Sequence, residues 1–197
     1  FINAGLMTLE QSVAVMLGAN IGTTLSMQVI SFNLDEYAFF VIAAGLLMQL
    51  VAGRRVMIKH VGAILFGFGL LFLGMKTMSM GVAPLKGEAL QSFLRQTEAT
   101  TLLGVLTGVA VATAITGIIQ SSGAMIGILF ALTTAGVFTD FRQVFPLMLG
   151  AHIGTCATAM LGSIGTNIEA RRSAVSHLLF NVLGAGIAIA MLPFYLW

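Results

Sequence analysis

Met16-Leu17-Gly18-Ala19-Asn20-Ile21-Gly22-Thr23 recurs toward the other end of the chain as Met148-Leu149-Gly150-Ala151-His152-Ile153-Gly154-Thr155, differing only where His152 stands for Asn20. The match continues upstream: Ala4-Gly5 corresponds to Ala135-Gly136, and Gln11 to Gln143 after a slip of one residue. Glycines four apart would by themselves describe a small-residue packing face. Such a face does not require the same Met, Leu, Ala, Ile and Thr around it. The octapeptide is therefore read as an internal repeat, and both copies lie in apolar sequence.

The solvent around this repeat follows from composition. Of 197 residues, 58% are hydrophobic and 8% charged, and the mean hydropathy is +1.01. Soluble domains carry roughly a quarter charged residues. So few charges cannot cover a chain of this size in water, so most of its surface faces lipid. A net charge of +2 is too small to indicate a nucleic-acid binder. The single cysteine, Cys156, excludes an internal disulfide and a Cys-rich metal site. Inside an apolar run, it reads as a small packing residue. Phe1 opens within an apolar stretch with neither an initiator Met nor a signal-peptide n-region, so the chain reads as a fragment of a longer protein.

Apolar segments run approximately over Val13–Phe32, Tyr37–Ala52, Val61–Met80, Leu102–Ile119, Gly123–Val137, Val144–Gly162 and Ser173–Trp197. A helical crossing takes about 20 residues, and Gly123–Val137 falls short of that. Only Gln120-Ser121-Ser122 separates it from Leu102–Ile119, which predicts a re-entrant hairpin with its tip inside the membrane. Such a tip is tolerated where protein or a water-filled cavity satisfies its backbone. The positive-inside rule puts the Arg54-Arg55-Lys59 loop in the cytoplasm. Counting crossings from there, Arg171 and Arg172 reach the same side, and Lys86, Glu88, Arg95 and Glu98 share an external loop. The first octapeptide then runs outward and the second inward. The predicted fold is all-α: a polytopic membrane protein, an inverted-repeat secondary transporter with a re-entrant hairpin and broken helices. Residues 1–197 form one transport domain, 1–53 closing a first repeat and 60–197 making the second. A counterpart of the hairpin tip is expected shortly before Phe1.

The chemistry-bearing residues sit in these motifs. Gln120-Ser121-Ser122-Gly123 places an amide, two hydroxyls and exposed backbone in a region short of water, where an unsatisfied polar group costs roughly 2–7 kcal/mol. Hard neutral oxygens suit Na⁺, and amide N–H groups at the start of a broken helix suit an anion. The same residues could also serve as polar glue between helices. In Gly18–Thr24 and Gly150–Cys156 the glycines make a helix break tolerable, with Thr23 or Thr155 at a new helix start. Asn20 and His152 are the large polar side chains of these motifs, candidates to contact substrate or ion. No carboxylate, Lys or Arg lies in any of them. Bringing in one negative charge against ~100 mV costs ~2.3 kcal/mol, which co-entry of Na⁺ would offset. His60 and His177 read as interfacial, and Asn181 as a residue bonding a neighbouring helix.

Gly18-Ala19-Asn20-Ile21-Gly22-Thr23-Thr24, Gln120-Ser121-Ser122, the run from Gly67 to Gly74, and Arg171-Arg172 followed by Ala174, His177, Phe180 and Asn181 together resemble the sodium-dependent phosphate cotransporter family, the type II group and its bacterial relatives. The resemblance covers essentially the whole chain. It implies sodium-coupled symport of inorganic phosphate across a cell membrane, a bacterial inner membrane among those relatives, with Na⁺ as coupling ion and no other cofactor. It further implies that Gln120, Ser121, Ser122, Gly123, Asn20, Thr23, His152 and Thr155 line the substrate site. Gln120, Ser121, Thr23, Thr24 and Thr155 would serve sodium. The chain departs from the family pattern at Gly123, His152 and Cys156, where Ser, Asn and Thr are expected.

Three other readings compete. A carrier for another anion or a phosphate exporter would share these motifs. Ser122 and His152 superficially resemble the dyad of an intramembrane serine protease, which would need them within hydrogen-bond reach; the repeat is foreign to that chemistry, and no enzyme is expected. A channel or structural bundle would lack saturable, ion-coupled kinetics.

Overall fold

The computed structural model describes residues 1–32, 34–82, 87, 92, 94 and 96–195. Lys86, Glu88 and Arg95 of the anticipated external loop lie outside the described residues, as do the last two residues of the Ser173–Trp197 segment. Every regular element among those described is helical. In chain order they are α1 (Leu9–Ile30), a 3₁₀ turn (Leu34–Tyr37), α2 (Ala38–Val51), α3 (Val56–Val82), α4 (Leu102–Ile119), α5 (Ser122–Thr134), α6 (Phe141–Gly154), α7 (Cys156–Gly162), α8 (Ile168–Ala190) and α9 (Leu192–Tyr195). Among the described residues, four stretches are long and apolar enough to cross a membrane: Val56–Gly81, Leu102–Ile119, Phe141–Gly162 and Ile168–Ala190. Their large side chains point outward, among them Leu103, Leu183 and Ile118, the last 83% exposed. Lipid tolerates such a surface and water does not.

The chain forms two compact units: Phe1–Leu25 with Gly87–Ile126 and Phe138–Trp197, and Ser26–Lys86 with Gly127–Val137. In the second, α2 and α3 are an antiparallel pair. Gly45 faces Gly62 and Phe66, while Gly69 faces Ala38 and Ile42. Ala38, Phe72 and Met75 are the buried centre, with Met27, Phe68, Leu73 and Phe130 packed on it.

The first unit holds every residue expected to line the substrate or sodium site. Here α4 lies along α6. Gly108 sits against Pro146, Gly150 against Val109, Ala112 and Thr113, and Gly154 against Thr113, Thr116 and Gly117. The contacts advance together along both helices, so they run parallel, as elements separated by one return segment must. Small residues let the backbones approach, and Thr113 Oγ1 donates across the seam to Gly150 O at 3.2 Å. Pro146 inside α6 has no N–H for the Arg142 carbonyl. Ala99 N takes that carbonyl instead, at 2.9 Å. Ala99, Val105 and Phe145 form the core beside it, covered by Leu149, Ile189 and Leu192.

The helix starts follow capping rules. Thr101, Asp140 and Asn167 cap α4, α6 and α8 through their side-chain oxygens. At α1, Thr8 and Gln11 form a reciprocal box: Gln11 N donates to Thr8 Oγ1 and Thr8 N to Gln11 Oε1. Gln143 reaches back in the same way, accepting from Thr139 N at 3.0 Å. Gly5 and Gly136 take φ of +71° and +70°. The upstream correspondence between the copies is therefore conformational as well as textual.

One expectation is corrected here. The anticipated break at Gly18–Thr24 is absent, and α1 runs unbroken over 22 residues. In the second copy the interruption is Thr155 alone, whose backbone stays helical at φ −60°, ψ −28°. Glycine makes a break affordable but does not impose one. Thr23 Oγ1, Thr24 Oγ1 and Thr155 Oγ1 each donate to the carbonyl four residues back, Ala19 O, Asn20 O and Ala151 O. The hydroxyls are thereby satisfied within their own helix, in the unbroken copy and the interrupted one alike.

Candidate functional site

Two pairs fix the direction of α1 against α8. Ser12 Oγ and Ser173 Oγ are 2.9 Å apart, and Asn20 Nδ2 donates to Asn181 Oδ1 at 3.1 Å; both pairs are separated by 161 positions. Equal separations mean parallel helices. Against α6 and α7 the sense of α8 reverses: Asn181 meets His152 and Cys156, whereas Ile189 and Leu192 reach back to Phe145. The two octapeptides therefore travel in opposite directions.

They meet at Asn181, a buried residue in mid-α8. Its Nδ2 donates to His152 O at 3.2 Å and to Cys156 Sγ at 3.0 Å, while its Oδ1 accepts from Asn20. Beside this junction is a cavity of about 310 Å³, lined among others by Asn20, Thr24, His152, Phe180 and Asn181. The polar groups lining it are neutral oxygens and nitrogens, with no carboxylate, Lys or Arg among them.

Of the residues expected to form a site, Asn20, Thr24 and His152 come together here. Thr23 and Thr155, both half-buried, do not line this cavity. Gln120, Ser121, Ser122 and Gly123 do not line it either; they make the sharp turn between α4 and α5. Gln120 adopts a left-handed conformation at φ 57° and ends α4. Ser121 Oγ caps α5 by accepting from Ala124 N at 3.2 Å. Gln120 and Ser121 are exposed, Ser122 is buried and Gly123 half-buried. One turn below, Thr116 is fully buried and its hydroxyl has no hydrogen-bond partner among the described residues. Ser122 and His152 share no hydrogen bond there, so no nucleophilic dyad is assembled. No group of His, Cys, Asp and Glu among the described residues is arranged to hold a metal.

The profile of the Na+/Pi-cotransporter family matches residues 1–80 and 72–194. The chain belongs to the Na+/Pi-cotransporter family. Membership in this transporter family, with the four apolar spans, makes it a multi-pass membrane protein. Among relatives, an uncharacterized protein, YqeW of Bacillus subtilis, is 28% identical over 193 residues, 98% of this chain and 61% of YqeW. YjbB of Escherichia coli K12, named as a candidate inorganic phosphate export protein, is 28% identical over 195 residues, 98% of this chain and 34% of YjbB. The human sodium-dependent phosphate transport protein 2B is 36% identical over 89 residues, 43% of this chain and 12% of its own length. The chain thus spans under two thirds of these family members. No solved structure matches it.

Proposed function

We propose that the full-length protein carries inorganic phosphate across a bacterial inner membrane coupled to Na⁺, on an inverted-repeat scaffold whose two motif helices bear the ion. The observation that carries this reading is the junction of Asn20, Asn181 and His152 beside an uncharged cavity, where oppositely running copies of one motif converge. Neutral oxygens such as Asn20 Oδ1 and the Thr24 hydroxyl suit a hard monovalent cation, while the N–H groups opening α5 behind Ser121 suit phosphate. Gln120, Ser121, Ser122 and Gly123 form the anion pole in this reading. Asn20, Thr24 and His152, which line the cavity, form the cation pole. With no fixed cation in the motifs, co-bound Na⁺ supplies the compensating charge. Family membership and the name of the human relative support the pairing of phosphate with sodium.

The test is phosphate uptake by the reconstituted full-length protein with Na⁺ outside, then with choline in its place. Coupled symport predicts that uptake collapses in choline. Equal uptake in both would remove sodium from the mechanism. The similarity to YjbB favours a second reading, net export. Vesicles of opposite orientation, loaded with labelled phosphate, separate the two by the direction of net flux.

A further inference from the structure

We infer that Asn181 is the positioning residue of this site, holding the Asn20 amide in the one orientation that presents a carbonyl oxygen to a cation. The inference rests on the cation reading above. The geometry leaves little choice. The His152 carbonyl can only accept, so the Asn181 group facing it at 3.2 Å is the NH₂. Asn181 Oδ1 therefore faces Asn20, which obliges Asn20 to turn its own NH₂ toward it, at 3.1 Å. What remains on Asn20 is Oδ1, an acceptor with no hydrogen-bond partner among the described residues, on a side chain that lines the cavity. A backbone carbonyl in one copy of the motif thus sets the polarity of a side chain in the other, through Asn181.

The departure at Cys156 fits this relay. In the first copy Thr24 Oγ1 donates to Asn20 O. The residue in the same place of the second copy is Cys156, which instead accepts from Asn181 Nδ2 at 3.0 Å. A threonine there would send its hydroxyl to His152 O, the carbonyl that orients Asn181. Cysteine, a weak donor, leaves that carbonyl to the amide.

The test needs no phosphate. Thermal unfolding of purified full-length protein is followed against Na⁺ concentration, with choline keeping ionic strength constant. Wild type gains melting temperature with Na⁺. Asn181→Leu, which removes the acceptor that holds the Asn20 NH₂, should raise the half-maximal Na⁺ concentration roughly 10-fold, whereas Asn181→Asp, which keeps an acceptor there, should not raise it. In proteoliposomes the Na⁺ that Asn181→Leu needs for half-maximal uptake rises likewise, while KM for phosphate at saturating Na⁺ stays within about twofold. With Asn20→Asp, which offers an acceptor in either orientation, adding Asn181→Leu should shift the Na⁺ requirement no further. An Asn181→Leu protein that melts lower in choline but keeps the wild-type Na⁺ requirement overturns the inference, since a merely structural role predicts that, and an Asn181→Asp protein as impaired toward Na⁺ as Asn181→Leu overturns it too. So does full additivity with Asn20→Asp. A wild type indifferent to Na⁺ sinks the cation reading itself, and the inference with it.

Discussion

Ser12 and Ser173 touch side chain to side chain, with their hydroxyl oxygens 2.9 Å apart. Either hydroxyl can be the donor; Ser12 also donates to Leu9 O at 2.6 Å when it turns to its own helix. The contact sets the register in which Asn20 meets Asn181 further along the same two helices.

That register predicts a crosslink. Ser12→Cys with Ser173→Cys, in full-length protein carrying Cys156→Ala, should form a disulfide under mild oxidation in native membranes. Ser12→Cys with Asn181→Cys should not, because those positions lie more than two helical turns apart, at about 5.4 Å per turn. A gel-mobility shift before and after reduction reads both, and crosslinking of the second pair alone would refute the register.

Gly154→Ala should lower thermal stability. Its new Cβ would lie 2.5 Å from Thr116 Cβ and 2.7 Å from Thr113 O, neither of which is the far end of a flexible chain. Overpacking of this kind costs typically 1–3 kcal/mol, about several degrees in melting temperature. Gly67→Ala in α3 is the matched control, since a Cβ there meets nothing within 4 Å. It should be neutral or stabilising by up to about 1 kcal/mol.

Thr116→Val should leave stability unchanged or raise it. The buried hydroxyl carries its desolvation cost, about 1–3 kcal/mol, with no bond in return. Valine keeps the shape and removes the polar atom. Unfolding that begins several degrees lower would show that the hydroxyl has a partner in the folded protein.

Gln120→Gly separates strain from function. A non-glycine residue at φ 57° costs roughly 1–2 kcal/mol in the left-handed region, which glycine avoids. The variant should melt higher than wild type, yet lose phosphate uptake with the amide gone. A variant that melts higher and transports normally would remove Gln120 from the anion pole.

The helices were largely legible in the sequence, because apolar runs of crossing length leave few alternatives. The repeat was legible too, and its upstream reach is matched by the conformations of Gly5 and Gly136 and by the caps of Gln11 and Gln143. The continuity of α1 was not. Glycine content says that a break is tolerable, not that one occurs, and α1 stays helical through Gly18 and Gly22. Asn181 was read as bonding a neighbour, but not as the meeting point of both motifs. Its partners lie 161, 29 and 25 positions away, beyond any helical periodicity. One signal was available: Ser12 and Asn20 repeat the spacing of Ser173 and Asn181, two polar residues on each of two apolar helices.

The bond from Ala99 N to Arg142 O, at the point where Pro146 leaves a carbonyl free, has a mechanical consequence. It pins the segment leading into α4 onto α6, and the glycine seam beyond it welds the two helices along their length. A slide of one helix past the other would carry Gly150 and Gly154 off the small residues that let the backbones approach. On its other side α6 is held differently: the Asn181 amide donates to His152 O, and Ile189 and Leu192 pack against the core that Phe145 shares with Ala99 and Val105.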